Sequence, residues 1–150
     1  MFLAKSLHIL AAVIWVGGMF FAYMALRPAA ASLLEPPQRL SLWDGVFTKF
    51  FFWVWISIVT ILLSGYYMMF SAFGGFAGSG MHIHLMHGMG LIMMMIFTHV
   101  YFAPYKRLKR LVAENNFPQA AKNLNTIRIM VAINLAIGLL TFIVAESILL

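Results

Sequence analysis

The chain has 150 residues, of which 63% are hydrophobic and only 9% are charged, so a water-soluble surface is excluded and we expect residues 1–150 to form one transmembrane domain. The net charge of +6 does not indicate nucleic acid, because most basic residues lie in two connections between apolar segments. The absence of cysteine excludes disulfides and thiolate metal sites, so any metal must use His, Met or oxygen ligands.

Four apolar stretches are long enough to cross roughly 30 Å of hydrocarbon. They run from about Leu3 to Leu26, Phe50 to Phe70, Ile83 to Phe102 and Ile129 to Leu149. No strand pattern competes with them, so the sequence predicts an all-α integral membrane protein with four transmembrane helices.

The basic residues flank the first and third connections, whereas the second connection, Ser71 to Gly80, is uncharged. The residues at the first connection are Arg27, Arg39 and Lys49. Those at the third connection are Lys106, Arg107, Lys109, Arg110, Lys122 and Arg128. The positive-inside rule then predicts that these two connections face the cytoplasm and that both termini lie on the outer side. We expect the membrane to be a bacterial inner membrane, which makes the outer side periplasmic. The helices would form an up-down-up-down bundle with helices 1 and 3 diagonal, and we expect Lys106 to Arg128 to be a basic linker lying on anionic lipid.

Two histidines lie at matching depths, since His8 and His87 are each about two turns from the outer ends of helices 1 and 3. Level imidazoles on diagonal helices can hold a haem iron between them, as in membrane b-type cytochromes. Lys5 could neutralise a haem propionate and Trp15 could pack against the macrocycle. The alternatives are hydrogen bonds from each histidine to a carbonyl or water, snorkelling of Lys5, and ordinary core packing of Trp15.

The leading interpretation is therefore a small haem b protein, a haem-dependent oxidoreductase that passes electrons between a quinol and an outer-side redox protein. His99 lies near the other end of helix 3, where no second histidine shares its depth. It could be a further haem ligand together with a methionine or a neighbouring subunit, or could act in proton or quinone chemistry. A homo-oligomer and an accessory subunit of a respiratory membrane complex are further alternatives.

The segment from Met81 to Met89 places three imidazoles and three thioethers at the start of helix 3. These soft ligands suit copper, especially Cu(I), so the main alternative is a copper-binding or copper-transporting protein. Its candidate ligands are His82, His84, Met86, His87 and Met89. On an ideal helix His84 and His87 share a face and His82 is turned away, so a three-histidine site requires an unwound helix start.

The first helix carries a family resemblance in Lys5-Ser6-Leu7-His8-Ile9-Leu10-Ala11-Ala12, followed by Trp15-Val16-Gly17-Gly18 and Leu26-Arg27-Pro28. This run resembles the CopD-type copper resistance membrane domain, which implies copper handling. The Leu-His-Ile opening and His99 are also similar, more distantly, to the HemJ-type protoporphyrinogen oxidase, which implies haem b. The Met86-His87-Gly88 segment and Ala25-Leu26-Arg27-Pro28 depart from the HemJ pattern, so porphyrinogen oxidation is not expected.

Overall fold

The computed structural model describes residues 1–146, which form four long helices and no strand. The helices are α1 (Phe2–Leu33), α2 (Pro36–Ala72), α3 (Met81–Ala113) and α4 (Phe117–Glu146). Each is long and apolar enough to cross a membrane, so the predicted all-α, four-span architecture is confirmed. The end of the predicted fourth span, up to Leu149, lies outside the described residues.

The helices pack as two pairs, α1 along α2 and α3 along α4; α4 also contacts α1 and α2, and α3 contacts α2. One hydrophobic core runs through all four helices. Its centre includes an edge-to-face contact between Trp15 of α1 and Phe97 of α3, with ring centroids 6.1 Å apart. We call the end with the α1–α2 and α3–α4 connections the basic end, and the opposite end, with Met1 and the α2–α3 connection, the histidine end.

The helices at the basic end are longer than the predicted spans. A π-helical segment, Tyr101–Tyr105, accommodates Pro104 within α3, because a proline lacks the N–H that a regular α-helical turn requires. The helix then continues to Ala113, with Leu108 and Leu111 buried in the core. A second π-helical segment, Ala22–Leu26, precedes Arg27 and Pro28 in α1.

The separate basic linker expected between Lys106 and Arg128 is not present in the structure. These residues extend α3 and α4, which are joined by a tight turn in which Asn115 takes a positive φ of 55°. Pro118 is the second residue of α4, where a proline is tolerated, and so it does not interrupt a helix. The extensions form because Leu108, Ala120 and Ile127 are completely buried between them and the rest of the bundle.

A candidate metal site at the histidine end

The interior face of α3 is marked by three buried residues, Met93, Phe97 and Val100. Steps of four, three and four residues lead back from Met93 to Met89, Met86 and His82, which therefore continue the same face towards the histidine end. Met93 is 4% exposed and the other three are half-buried. We call His82, Met86, Met89 and Met93 the His/Met line.

His82 begins this line with a nitrogen that has no partner. Its Nε2 atom is buried and makes no hydrogen bond to any described residue. The ring folds back over the start of α3, so close to Gly80 that a Cβ there would lie 2.7 Å from the His82 Cε1 atom. A buried polar atom without a partner costs about 1–3 kcal/mol, and a soft metal ion would satisfy this one.

His8 is held by α2 in one orientation. The Ser64 hydroxyl lies 3.0 Å from His8 Nδ1 and within hydrogen-bonding distance of the backbone carbonyls of Thr60 and Ile61. When Ser64 donates its single hydrogen to one of these carbonyls, it accepts from Nδ1–H of the corresponding His8 tautomer. The Nε2 lone pair of His8 is then available to a ligand, as in metal-binding histidines whose second nitrogen is anchored. Gly65 leaves room for the ring, because a Cβ there would lie 3.2 Å from His8 Cε1.

His87 lies at the same depth but against another side of α2. Its ring packs edge-on against Tyr66 and Phe76, with centroids 5.5 and 5.7 Å away. His8 contacts positions 64 and 65 of α2, and His87 contacts position 66, so both rings meet α2 within one turn. A shared haem iron between His8 and His87 stays a prediction, and each ring packs against α2 by itself.

The remaining candidate residues lie outside the His/Met line. His84 and His99 are exposed, and Lys5 is exposed and has no ion pair within residues 1–146. Trp15 is buried against Phe97 as a core residue. In the described part of the chain, no group of three or more His, Cys, Asp or Glu side chains is arranged to hold a metal ion. Helix α3 is regular from Met81 to Val100, so it does not have the unwound start that a three-histidine site requires. The donor set that the structure brings to one face is one imidazole and three thioethers.

Asn134 of α4 lies beside the inner end of the line. Its Nδ2 donates to the Met93 carbonyl over 3.3 Å, whereas its buried Oδ1 has no partner among the described residues. Asn134 also lines a cavity of 20 Å³, together with two further methionines, Met19 and Met130. A polar oxygen and methionine side chains thus lie together in the middle of the bundle, a grouping that the sequence alone did not predict.

Four apolar spanning helices and an interior line of soft ligands define a multi-pass membrane protein with a candidate site for a soft metal ion. Residues 44–148 match the model of the family described as CopD, Copper resistance protein D, and the chain therefore belongs to the CopD family. The match covers α3, α4 and most of α2, and it confirms the CopD family, whose resemblance in the sequence lies in α1 outside the matched residues. No curated protein and no solved structure matches the chain.

Proposed function

We propose that this chain binds copper, as Cu(I), at the histidine end of α3 and passes it along the His/Met line towards the middle of the bundle. The observation that carries the proposal is that His82, Met86, Met89 and Met93 share the interior face of α3. Membership of a copper resistance family supports the same metal. This proposal takes the place of the haem protein as the leading function.

The ligand chemistry favours copper over harder metal ions. Imidazole and thioether are soft ligands that suit Cu(I), whereas Mg²⁺, Ca²⁺ and Mn²⁺ prefer carboxylates and carbonyls. No member of the His/Met line is acidic, and the chain has only four acidic residues. A cation on this line would therefore be bound by soft donors alone until it reached the amide oxygen of Asn134.

Each residue has a distinct role in this proposal. The buried Nε2 of His82 and the thioethers of Met86 and Met89 bind the ion at the mouth, and Met93 and Asn134 receive it further inside. His8, whose Nδ1 is anchored on Ser64, offers a second imidazole from α1 at the same end. His84 is exposed on another face of α3, and we place it outside the site.

The orientation and domain organisation are part of the same proposal. Nine of the ten basic residues belong to the basic end, so the positive-inside rule places that end in the cytoplasm, with the copper mouth and both termini outside a bacterial inner membrane. The single hydrophobic core shared by four helices supports one domain. The quinone and redox partners expected with haem have no comparable support.

A pair of matched double variants tests the proposal. Met86→Leu with Met89→Leu removes two thioethers from the interior face, whereas Met94→Leu with Met95→Leu removes two from elsewhere on the same helix. Leucine conserves volume and helix propensity, so both proteins should fold. We expect Cu(I) affinity, measured by competition with a chromophoric chelator, to fall at least about tenfold in the first variant alone. Equal affinities in the two variants would contradict the proposal.

An absorption spectrum separates copper from haem. Purified protein from haem-replete cells is expected to show no Soret band and to bind Cu(I) when loaded. A reducible b-type spectrum that His8→Ala abolishes would instead restore the haem interpretation.

A further inference from the structure

A cavity of 320 Å³ opens at the basic end, between α1, α2 and α4. Three arginines line it, Arg27 from α1, Arg39 from α2 and Arg128 from α4. Its walls are otherwise largely apolar, and Leu40 and Trp43 are buried residues of the core. Three positively charged side chains thus line one largely apolar cavity, at the opposite end of the bundle from the histidine end.

These arginines have no acidic partner. No acidic side chain lines the cavity. The ion pair found within residues 1–146 joins Arg110 to Glu114, and neither residue lines the cavity. The Arg27 guanidinium lies over the Tyr23 ring, 5.0 Å from its centroid, which is a cation–π contact that leaves its N–H groups free to bind an anion. The local charge at the cavity is therefore uncompensated by the protein itself.

The π-helical segment of α1 shapes this cavity. The segment Ala22–Leu26 supplies Ala22 and Tyr23 to the lining, and Arg27 follows it directly. A π-helical turn shifts the direction of the side chains that follow it, and such turns occur often at functional sites. The wider turn thus sets the direction in which Arg27 leaves α1.

We propose that this cavity binds the phosphate headgroup of an anionic phospholipid of the phosphatidylglycerol class, and that an acyl chain of the lipid packs against the apolar walls. Arginine forks match phosphate oxygens in charge and geometry, and basic pockets between transmembrane helices on the cytoplasmic side are typical lipid headgroup sites. A free phosphate ion would use the arginines but would leave the accessible apolar residues Pro36, Leu124 and Val131 uncovered. The lipid satisfies both parts of the cavity.

Native mass spectrometry of the delipidated full chain, titrated with phosphatidylglycerol or phosphatidylcholine, tests this site. The test variant carries Arg27→Gln, Arg39→Gln and Arg128→Gln. The matched control replaces three exposed basic residues of the same end that do not line the cavity, as Arg107→Gln, Lys109→Gln and Lys122→Gln. We expect phosphatidylglycerol affinity to fall about fivefold per arginine and roughly a hundredfold in the test variant, with little change in the control.

Several outcomes would overturn the proposal. The first is an equal loss of phosphatidylglycerol affinity in the test variant and the control. The second is equal binding of phosphatidylcholine and phosphatidylglycerol by the unmodified protein, and the third is displacement of the lipid by an equal concentration of inorganic phosphate. Far-UV circular dichroism checks that the variants are folded. If the triple variant does not fold, Arg128→Gln alone, at an exposed position, should still reduce phosphatidylglycerol affinity about fivefold, and an unchanged affinity would refute the site.

Discussion

Gly138→Ala tests a close approach of α4 to α1 and α3. A Cβ at Gly138 would lie 2.8 Å from Val16 Cγ2 on α1 and 3.1 Å from Met93 Cε on α3. Both distances are shorter than the roughly 3.5–4.0 Å at which carbon atoms pack favourably. Met93 can move its flexible end, but Val16 is 6% exposed and has a stiff side chain, so α1 and α4 must separate.

The expected magnitude follows from two opposing terms. Alanine is favoured over glycine in a helix by about 1 kcal/mol, and overpacking a filled interior costs about 1–3 kcal/mol. Gly90→Ala isolates the first term, because nothing lies within 4 Å of a Cβ at that position. The free energy of unfolding of Gly138→Ala should therefore be about 1–3 kcal/mol lower than that of Gly90→Ala.

Equilibrium unfolding in mixed detergent micelles, followed by far-UV circular dichroism, measures this difference. The rescue variant Val16→Ala removes both methyl groups that the new Cβ would meet, so the two substitutions together should destabilise less than the sum of their separate effects, by about 0.5–3 kcal/mol. If Gly138→Ala proves as stable as Gly90→Ala, or if Val16→Ala gives no rescue, the close contact between α1 and α4 is not as described.

Two further substitutions test the imidazoles. Ser64→Ala removes the hydroxyl that contacts His8 Nδ1, so Cu(I) affinity should fall by about tenfold or more while the free energy of unfolding changes by only about 0.6 kcal/mol. An unchanged affinity would contradict the role of Ser64 in orienting His8 as a ligand. His82→Gln should weaken Cu(I) binding in the chelator competition, whereas His84→Gln, at an exposed position of the same segment, should not; the reverse order would contradict the assigned face of α3.

Sequence reasoning located all four helices because long apolar runs are a strong signal, but it ended them too early at the basic end. Polar and charged residues there lower the local hydropathy and so predict the end of a span. The residues between them, Leu108 and Leu111, repeat at helical spacing and are buried, so α3 continues. Pro104 does not end α3 either, because a π-helical segment accommodates it.

The chemistry of the candidate site could be predicted from composition, but its geometry could not. The relative directions of His82, His84 and His87 follow from the helical repeat alone. Which face points inward depends on the packing of α3 against its neighbours, and the signal that could have shown it was the repeat of Met93, Phe97 and Val100. The contact of His8 with Ser64 joins residues 56 positions apart, and no local pattern predicts such a contact.

The buried polar atoms that lack partners support a ligand path inside the bundle. Among the described residues they are Asp44 Oδ1, His82 Nε2 and Asn134 Oδ1. His82 begins the His/Met line, and Asn134 lies beside Met93 at the inner end of that line. An unsatisfied atom in an apolar interior costs about 1–3 kcal/mol, and apolar side chains at both positions would remove that cost. An ion that binds each of the two atoms in turn, by way of the thioethers between them, would satisfy both.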